Sequence, residues 1–179
     1  MKIIDNFLPQ DFFNDLQNLL FDDKFPWYFS NISVYEGDDS PMFVHIVYMD
    51  MEPVSSLWEQ IKSTLIEKLQ LKRNQSILRI KINATPRTSS IEETGLHYDI
   101  ISDGDQSVRP HNVAIIYLNS NDGYTIFEDG TKVESVENRC VIFPGSLKHA
   151  GTSCTDTQLR MVLNINYTID PDDYTNTPN

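Results

Sequence analysis

Asn112-Val113-Ala114-Ile115-Ile116-Tyr117-Leu118-Asn119-Ser120-Asn121-Asp122-Gly123-Tyr124-Thr125-Ile126-Phe127 is the stretch on which the reading of the fold turns. Val113 to Leu118 is apolar but only strand-sized, far short of a bilayer crossing. Asn121-Asp122-Gly123 is a strong turn signal, and Tyr124 to Phe127 starts a second strand. The same grammar extends in both directions. From Ser76 onward, strands are expected near 76–84, 95–100, 112–118, 124–127, 131–134, 139–143, 147–152 and 159–168. Asp129-Gly130 suits a tight hairpin, and Pro144-Gly145 marks another turn.

Upstream the period changes. Pro9 is well placed as a first helical residue, and Phe12, Phe13, Leu16, Leu19 and Leu20 follow at helical spacing. Ser56-Leu57-Trp58-Glu59 resembles a capping box, followed by the stripe Leu57, Trp58, Ile61, Leu65, Leu69. Trp27 to Phe29 and Phe43 to Met49 read as strands. Many short strands after a pair of helices predict a mainly β, α+β fold: a jelly roll with its N-terminal helices packed on the outside. An ordinary β-sandwich is the competing architecture. One domain is expected over 1–169, with a helical front (1–75) and a jelly-roll core (76–169), then a loose acidic tail at 170–179.

The 179 residues are 40% hydrophobic and 22% charged, as in a globular protein. The net charge is −12, from 26 acidic and 14 basic residues, and no basic run is present. A phosphate-tracking surface needs clustered Lys and Arg, so nucleic acid is an unlikely partner. The acidity reads first as solubility and second as a preference for a basic substrate. The N-terminus lacks the apolar core of a signal peptide, no membrane contact is expected, and a cytoplasmic location is the default. Cys140 and Cys154 read as two reduced thiols, and oligomeric state is not legible.

The chemistry-bearing residues are His97, Asp99, His149 and Arg160. Two positions apart on a strand, His97 and Asp99 share a face while Tyr98 points away. Taken alone His-x-Asp is a cheap pair. A third ligand must come from far along the chain, with His149 and His111 as rivals and His45 more a packing residue. If 149–160 folds as a hairpin about Cys154-Thr155, equal counting sets His149 opposite Arg160. A guanidinium there could grip a carboxylate through two parallel bonds. Two imidazoles and one carboxylate suit Fe(II), Mn(II), Co(II), Ni(II) or Zn(II) and leave coordination positions open. Arg87, Tyr98 and Arg109, in or beside the polar loops 87–94 and 102–110, are candidates for substrate contact.

His97-Tyr98-Asp99, Ile116-Tyr117-Leu118-Asn119, Asp122 to Phe127, Asn138 to Phe143, His149 and Arg160, in that order, resemble the Fe(II)- and 2-oxoglutarate-dependent dioxygenases of the compact prolyl-hydroxylase type. The likeness covers nearly the whole chain, from Ile4-Asp5-Asn6-Phe7-Leu8-Pro9 onward. It implies a double-stranded β-helix and iron held by His97, Asp99 and His149. It also implies 2-oxoglutarate held at its far carboxylate by Arg160 with a hydroxyl from Tyr117, and O2 as oxidant, with room for ascorbate. The reaction implied is hydroxylation of an unactivated C–H bond in a peptidyl (prolyl-type) residue or an amino acid, with release of succinate and CO2. A catalytically inactive jelly-roll binding module and a nucleic-acid demethylase are the alternatives. Collagen-type relatives usually carry lysine at the position of Arg160, and their glycine pair appears here as Gly123-Tyr124.

Overall fold

Among the residues described in the computed structural model (1–31, 41–101 and 110–170), the chain forms eleven strands and two helices. The first half contains β1 (Lys2–Ile4), α1 (Gln10–Leu20), β2 (Tyr28–Ser30), β3 (Met42–Met49), β4 (Glu52–Pro53) and α2 (Leu57–Lys68). The second contains β5 (Ile77–Pro86), β6 (His111–Tyr117), β7 (Tyr124–Phe127), β8 (Lys132–Glu134), β9 (Cys140–Pro144), β10 (His149–Gly151) and β11 (Leu159–Thr168). A large antiparallel sheet runs β1-β9-β6-β11-β5-β3-β2, with β4 paired to β3, and a small one runs β10-β7-β8.

Alternation along β11 explains how the layers are held. Met161, Leu163 and Ile165 point outward into a core shared with Phe13, Leu16 and Leu20 of α1 and Leu57, Ile61 and Leu65 of α2. Val162 points inward and joins Val113, Ile115, Phe127 and Phe143 between the sheets. The large sheet is therefore covered on both faces, which is why β6 reads as an unbroken apolar run. The helices lie outside the jelly roll, as the sequence leads one to expect. The front half contributes more strand than its pattern announces: β1 is too short to read, yet it pairs with β9 through Ile3 opposite Val141.

Three local expectations fare differently. Asp129-Gly130 makes the expected hairpin between β7 and β8: Gly130 adopts φ +84°, and Asp129 Oδ1 accepts the Thr131 N–H at 2.9 Å. Ser56 does not cap α2 with its side chain; Ser55 Oγ accepts from Leu57 N at 3.2 Å instead. No strand forms over 95–100. The segment meets β10 through isolated bridges, Glu93 with Thr152 and His97 with His149. Between them the chain advances four positions against three, and the extra residue interrupts the ladder.

Asp170 is buried, ion-paired with Lys72 and bonded by Asn74 Nδ2 at 3.1 Å. The remainder of the expected acidic tail lies outside the described residues. Among the described residues no helix is long and apolar enough to cross a membrane.

Candidate metal and carboxylate site

The inward faces of β5 and β11, the segment from Thr94 to Asp99, and the small sheet enclose one cavity. Its rows follow the β5–β11 register: Arg160 opposite Thr85, Val162 opposite Asn83, Asn164 opposite Lys81 and Asn166 opposite Arg79. One end of the row is anchored by Arg160, and the other holds Asp99.

His97, Asp99 and His149 offer ligand atoms that all lie within 4.8 Å of one another. Both imidazole Nε2 atoms stand 3.9 Å from Asp99 Oδ1. His97 Nδ1 faces Gly95 O at 2.9 Å, which makes it the protonated nitrogen and leaves the Nε2 lone pair turned toward Asp99. His97 also reaches β10 by reciprocal backbone bonds, donating to His149 O at 3.0 Å and accepting from His149 N at 3.1 Å. A single bridge thus sets the two imidazoles side by side, 4.8 Å between ring centroids. Burial lowers the His149 pKa, outweighing the attraction of Asp99, so the neutral, ligating form is favoured.

Asp99 is held from three sides. Arg79 Nη2 donates to Oδ1 at 3.1 Å, while Asn164 Nδ2 and Asn166 Nδ2 donate to Oδ2 at 3.0 and 2.9 Å. Burial pushes its carboxyl up, but the electrostatic pull of the His149 side and of the Arg79 guanidinium, the Asn164 bond and His97 outweigh this and hold it far below the usual carboxylate range. Arg79, Asn164 and Asn166 were not singled out in the sequence. Their signal was present: two asparagines two apart inside an otherwise apolar strand mark an inward polar face. Asn166→Ala is expected to weaken Mn(II) binding by about 10- to 100-fold through loss of this outer support. A titration showing unchanged affinity would mean that Oδ2 needs no anchor.

Arg160 is 4% exposed. Its Nε donates to Ser135 Oγ at 2.8 Å and its Nη2 to Thr125 Oγ1 at 3.2 Å. Nη1 lies 3.5 Å from where a side chain on Gly151 would begin. No carboxylate among the described residues pairs with it. Burial lowers its pKa, so holding this cation has a real cost. Tyr117 is fully buried behind it, the guanidinium carbon 5.6 Å from the ring centre. The tyrosine hydroxyl donates to Thr125 Oγ1 at 2.8 Å, with Val133 O at 3.2 Å, and is not part of the cavity wall. Thr125 stands in the wall where the resemblance would put Tyr117.

The hairpin argument for His149 and Arg160 is overturned. His149 pairs with Phe127 and His97, whereas Arg160 pairs with Thr85; the two belong to different sheets. They reach the same cavity because the sheets face each other, not because they are neighbours on one ladder. His111, the rival ligand, is buried against Gly145, whose side-chain position its ring would occupy at 2.1 Å. It does not line the cavity. His45 is packed, bonded to Pro26 O at 2.8 Å and Ser55 Oγ at 2.9 Å. Tyr98 does line the cavity, contrary to the face assigned to it by strand alternation, because 95–100 is not a strand. Arg87 is exposed and away from it. Arg109 lies outside the described residues. Both Cys140 and Cys154 are buried and free.

The Asp122-Gly123-Tyr124 turn has a tight fit. A Cβ on Gly123 would stand 2.6 Å from Arg160 Cδ and 2.6 Å from Ser153 O. Gly123→Ala is therefore expected to cost about 1–3 kcal/mol of stability by overpacking, read from urea unfolding. An unfolding midpoint equal to that of the unsubstituted chain would contradict the packing described.

No protein-family model and no curated protein matches the chain. Solved structures do. A prolyl hydroxylase from Trichoplax adhaerens, in complex with a hypoxia inducible factor oxygen degradation domain peptide fragment, superposes with TM-score 0.64 at 15% identity, covering 99% of this chain and 87% of the other. A 2OG-Fe(II) oxygenase family oxidoreductase from Burkholderia pseudomallei gives 0.63 at 15% identity, covering 87% and 76%. HygX from Streptomyces hygroscopicus, with nickel and 2-oxoglutarate bound, gives 0.62 at 11% identity, covering 93% and 81%. The chain has the double-stranded β-helix fold of the 2-oxoglutarate/Fe(II) oxygenases. At such identities the likeness speaks for the fold, and function has to be argued from the site.

Proposed function

We propose that this protein is an Fe(II)- and 2-oxoglutarate-dependent dioxygenase that hydroxylates an unactivated C–H bond in an amino acid, free or within a peptide. The observation that carries the reading is Arg160: a buried cation, with no carboxylate partner among the described residues, in the same cavity as His97, Asp99 and His149. A closed structural zinc site would have four protein ligands and would need no cation opposite them. His97, Asp99 and His149 hold the metal and leave positions open for small ligands. Arg160 and Thr125 bind the far carboxylate of the keto acid, and Ser135 and Tyr117 keep those two groups in place. Bound iron and 2-oxoglutarate supply the oxidising power, with succinate and CO2 as by-products. The enclosing walls exclude bulk water and orient the substrate. The peptide of the Trichoplax adhaerens complex and the hygromycin B bound to HygX in a further structure leave both peptides and small molecules open as substrates within this fold.

The test is spectroscopic and then chemical. Anaerobic protein given Fe(II) and 2-oxoglutarate is expected to show a metal-to-ligand charge-transfer band. On admission of O2 it is expected to release succinate. A band without succinate in the presence of a broad amino-acid and peptide panel would favour an inactive binding module. Absence of the band would remove the oxygenase reading altogether.

A further inference from the structure

Among the described residues three cations line the cavity, Arg79, Lys81 and Arg160, against one carboxylate, Asp99. A divalent ion and a dicarboxylate cancel each other, so the same positive excess remains in the loaded site. In a chain of net charge −12 this is a local reversal of sign, which focuses anionic ligands into the cavity. Arg79 is committed to Asp99 and Arg160 to the far end. No hydrogen bond or ion pair among the described residues reaches the Lys81 ammonium, whose proton burial and Arg79 disfavour and Asp99 favours.

Its neighbour on the same face is equally idle. Asn83 lines the cavity with a buried Oδ1 that has no partner, and Arg79 Nε is buried without one as well. Buried polar groups are paired in nearly all folded proteins, so a cluster of unpaired ones facing a cavity asks for a ligand. Lys81 stands opposite Asn164, which holds Asp99, and Asn83 opposite Val162, midway to Arg160. The two therefore lie on the cavity wall between the level of Asn164, which holds Asp99, and that of Arg160. The Lys81 ammonium can donate to a carboxylate, and the free Asn83 Oδ1 can accept an N–H of the same molecule, a pairing that suits an acidic amino acid or peptide residue.

We propose that Lys81 and Asn83 form a subsite for the molecule being hydroxylated, Lys81 donating to its carboxylate and Asn83 Oδ1 accepting one of its N–H groups, so that the substrate is an acid, such as an acidic amino acid or an acidic peptide residue, rather than a neutral prolyl residue. This rests on the oxygenase reading above. The experiment uses the full chain loaded with Mn(II) and 2-oxoglutarate, with affinities measured by calorimetry. The probes are L-aspartate and L-glutamate, a capped Ala-Asp-Ala peptide, and the amide counterpart of each.

At least one acid is expected to bind about tenfold or more tightly than its amide. That preference is expected to vanish in Lys81→Gln, and Asn83→Ala is expected to weaken acid and amide binding alike, while 2-oxoglutarate affinity stays within about twofold. Preference for a free acid or for the peptide tells which form carries the carboxylate. Equal affinity for acids and amides in the unsubstituted protein overturns the proposal. So does a loss of 2-oxoglutarate affinity in Lys81→Gln matching the loss of acid binding, since Lys81 would then serve the co-substrate. Failure of the unsubstituted protein to take up Mn(II) and 2-oxoglutarate at all defeats the oxygenase reading first, and this inference falls with it.

Discussion

Asp99→Ala is expected to remove Fe(II) binding and, with it, the charge-transfer band and succinate release. Asp99 is the one anion among the three ligand residues, and its removal leaves two imidazoles facing the Arg79 guanidinium. An ion would then meet repulsion where it now meets a carboxylate held by Asn164 and Asn166. The loss should exceed the roughly 100-fold that follows from deleting an outer partner of a metal ligand. The measurement is the band in an anaerobic Fe(II) titration at saturating 2-oxoglutarate, with circular dichroism confirming that the variant is folded. A band of wild-type intensity at the same iron concentration would show that the metal binds elsewhere.

Arg160→Gln is expected to raise the Kd for 2-oxoglutarate by at least about 30-fold while leaving Mn(II) affinity within a few-fold. Truncating one member of a buried, hydrogen-bonded charge pair costs about 2 kcal/mol or more, which sets that lower bound. Arg160→Lys should recover part of the affinity but not all, since an ammonium lacks the planar fork that Ser135 and Thr125 keep oriented. Calorimetry on Mn(II)-loaded protein separates the two ligands. If the glutamine variant binds 2-oxoglutarate as well as the wild type, the far carboxylate is held by another cation, and Lys81 is the first to examine.

The fold was legible where burial and period agree. An unbroken apolar run announced β6, a largely apolar one announced β11, and the Asp129-Gly130 turn announced the β7–β8 hairpin, because those features are local. The pairing of His149 with Arg160 was read from a hairpin that does not exist. Register between distant strands is set by sheet packing, and counting back from Cys154-Thr155 could not show that His149 and Arg160 join opposite layers. The strand expected at 95–100 failed for a similar reason. One surplus residue between Glu93 and His97 breaks pairing, and nothing in their identities records it. Tyr117 was singled out for its hydroxyl, which donates to Thr125, a residue of the cavity wall.

The polar side of the cavity was legible in principle but passed over. Arg79, Lys81, Asn83 and Thr85 occupy alternate positions of β5, and Asn164 and Asn166 do so on β11. Polar residues at period two within strands that bury their other face are costly unless they have work to do. Net charge also misdirected attention. A value of −12 describes the molecule as a whole and is silent on a cavity lined, among the described residues, by three cations and one carboxylate.

The position of β11 bears on how the protein is made. It is the last strand along the described chain, yet it lies at the middle of the large sheet, between β5 and β6. Synthesis therefore delivers both flanking strands long before the one that joins them, and each waits with an unpaired inner edge. Such late, long-range pairing is slow and leaves strands open to wrong partners. Arg160, Asn164 and Asn166 arrive on the same strand, so the cavity acquires its far cation and the support for Asp99 only as the sheet closes. A nascent chain stalled before residue 159 would carry His97, Asp99 and His149 without the strand that steadies the carboxylate. Closure of the large sheet and support of the Asp99 carboxylate thus come in a single step.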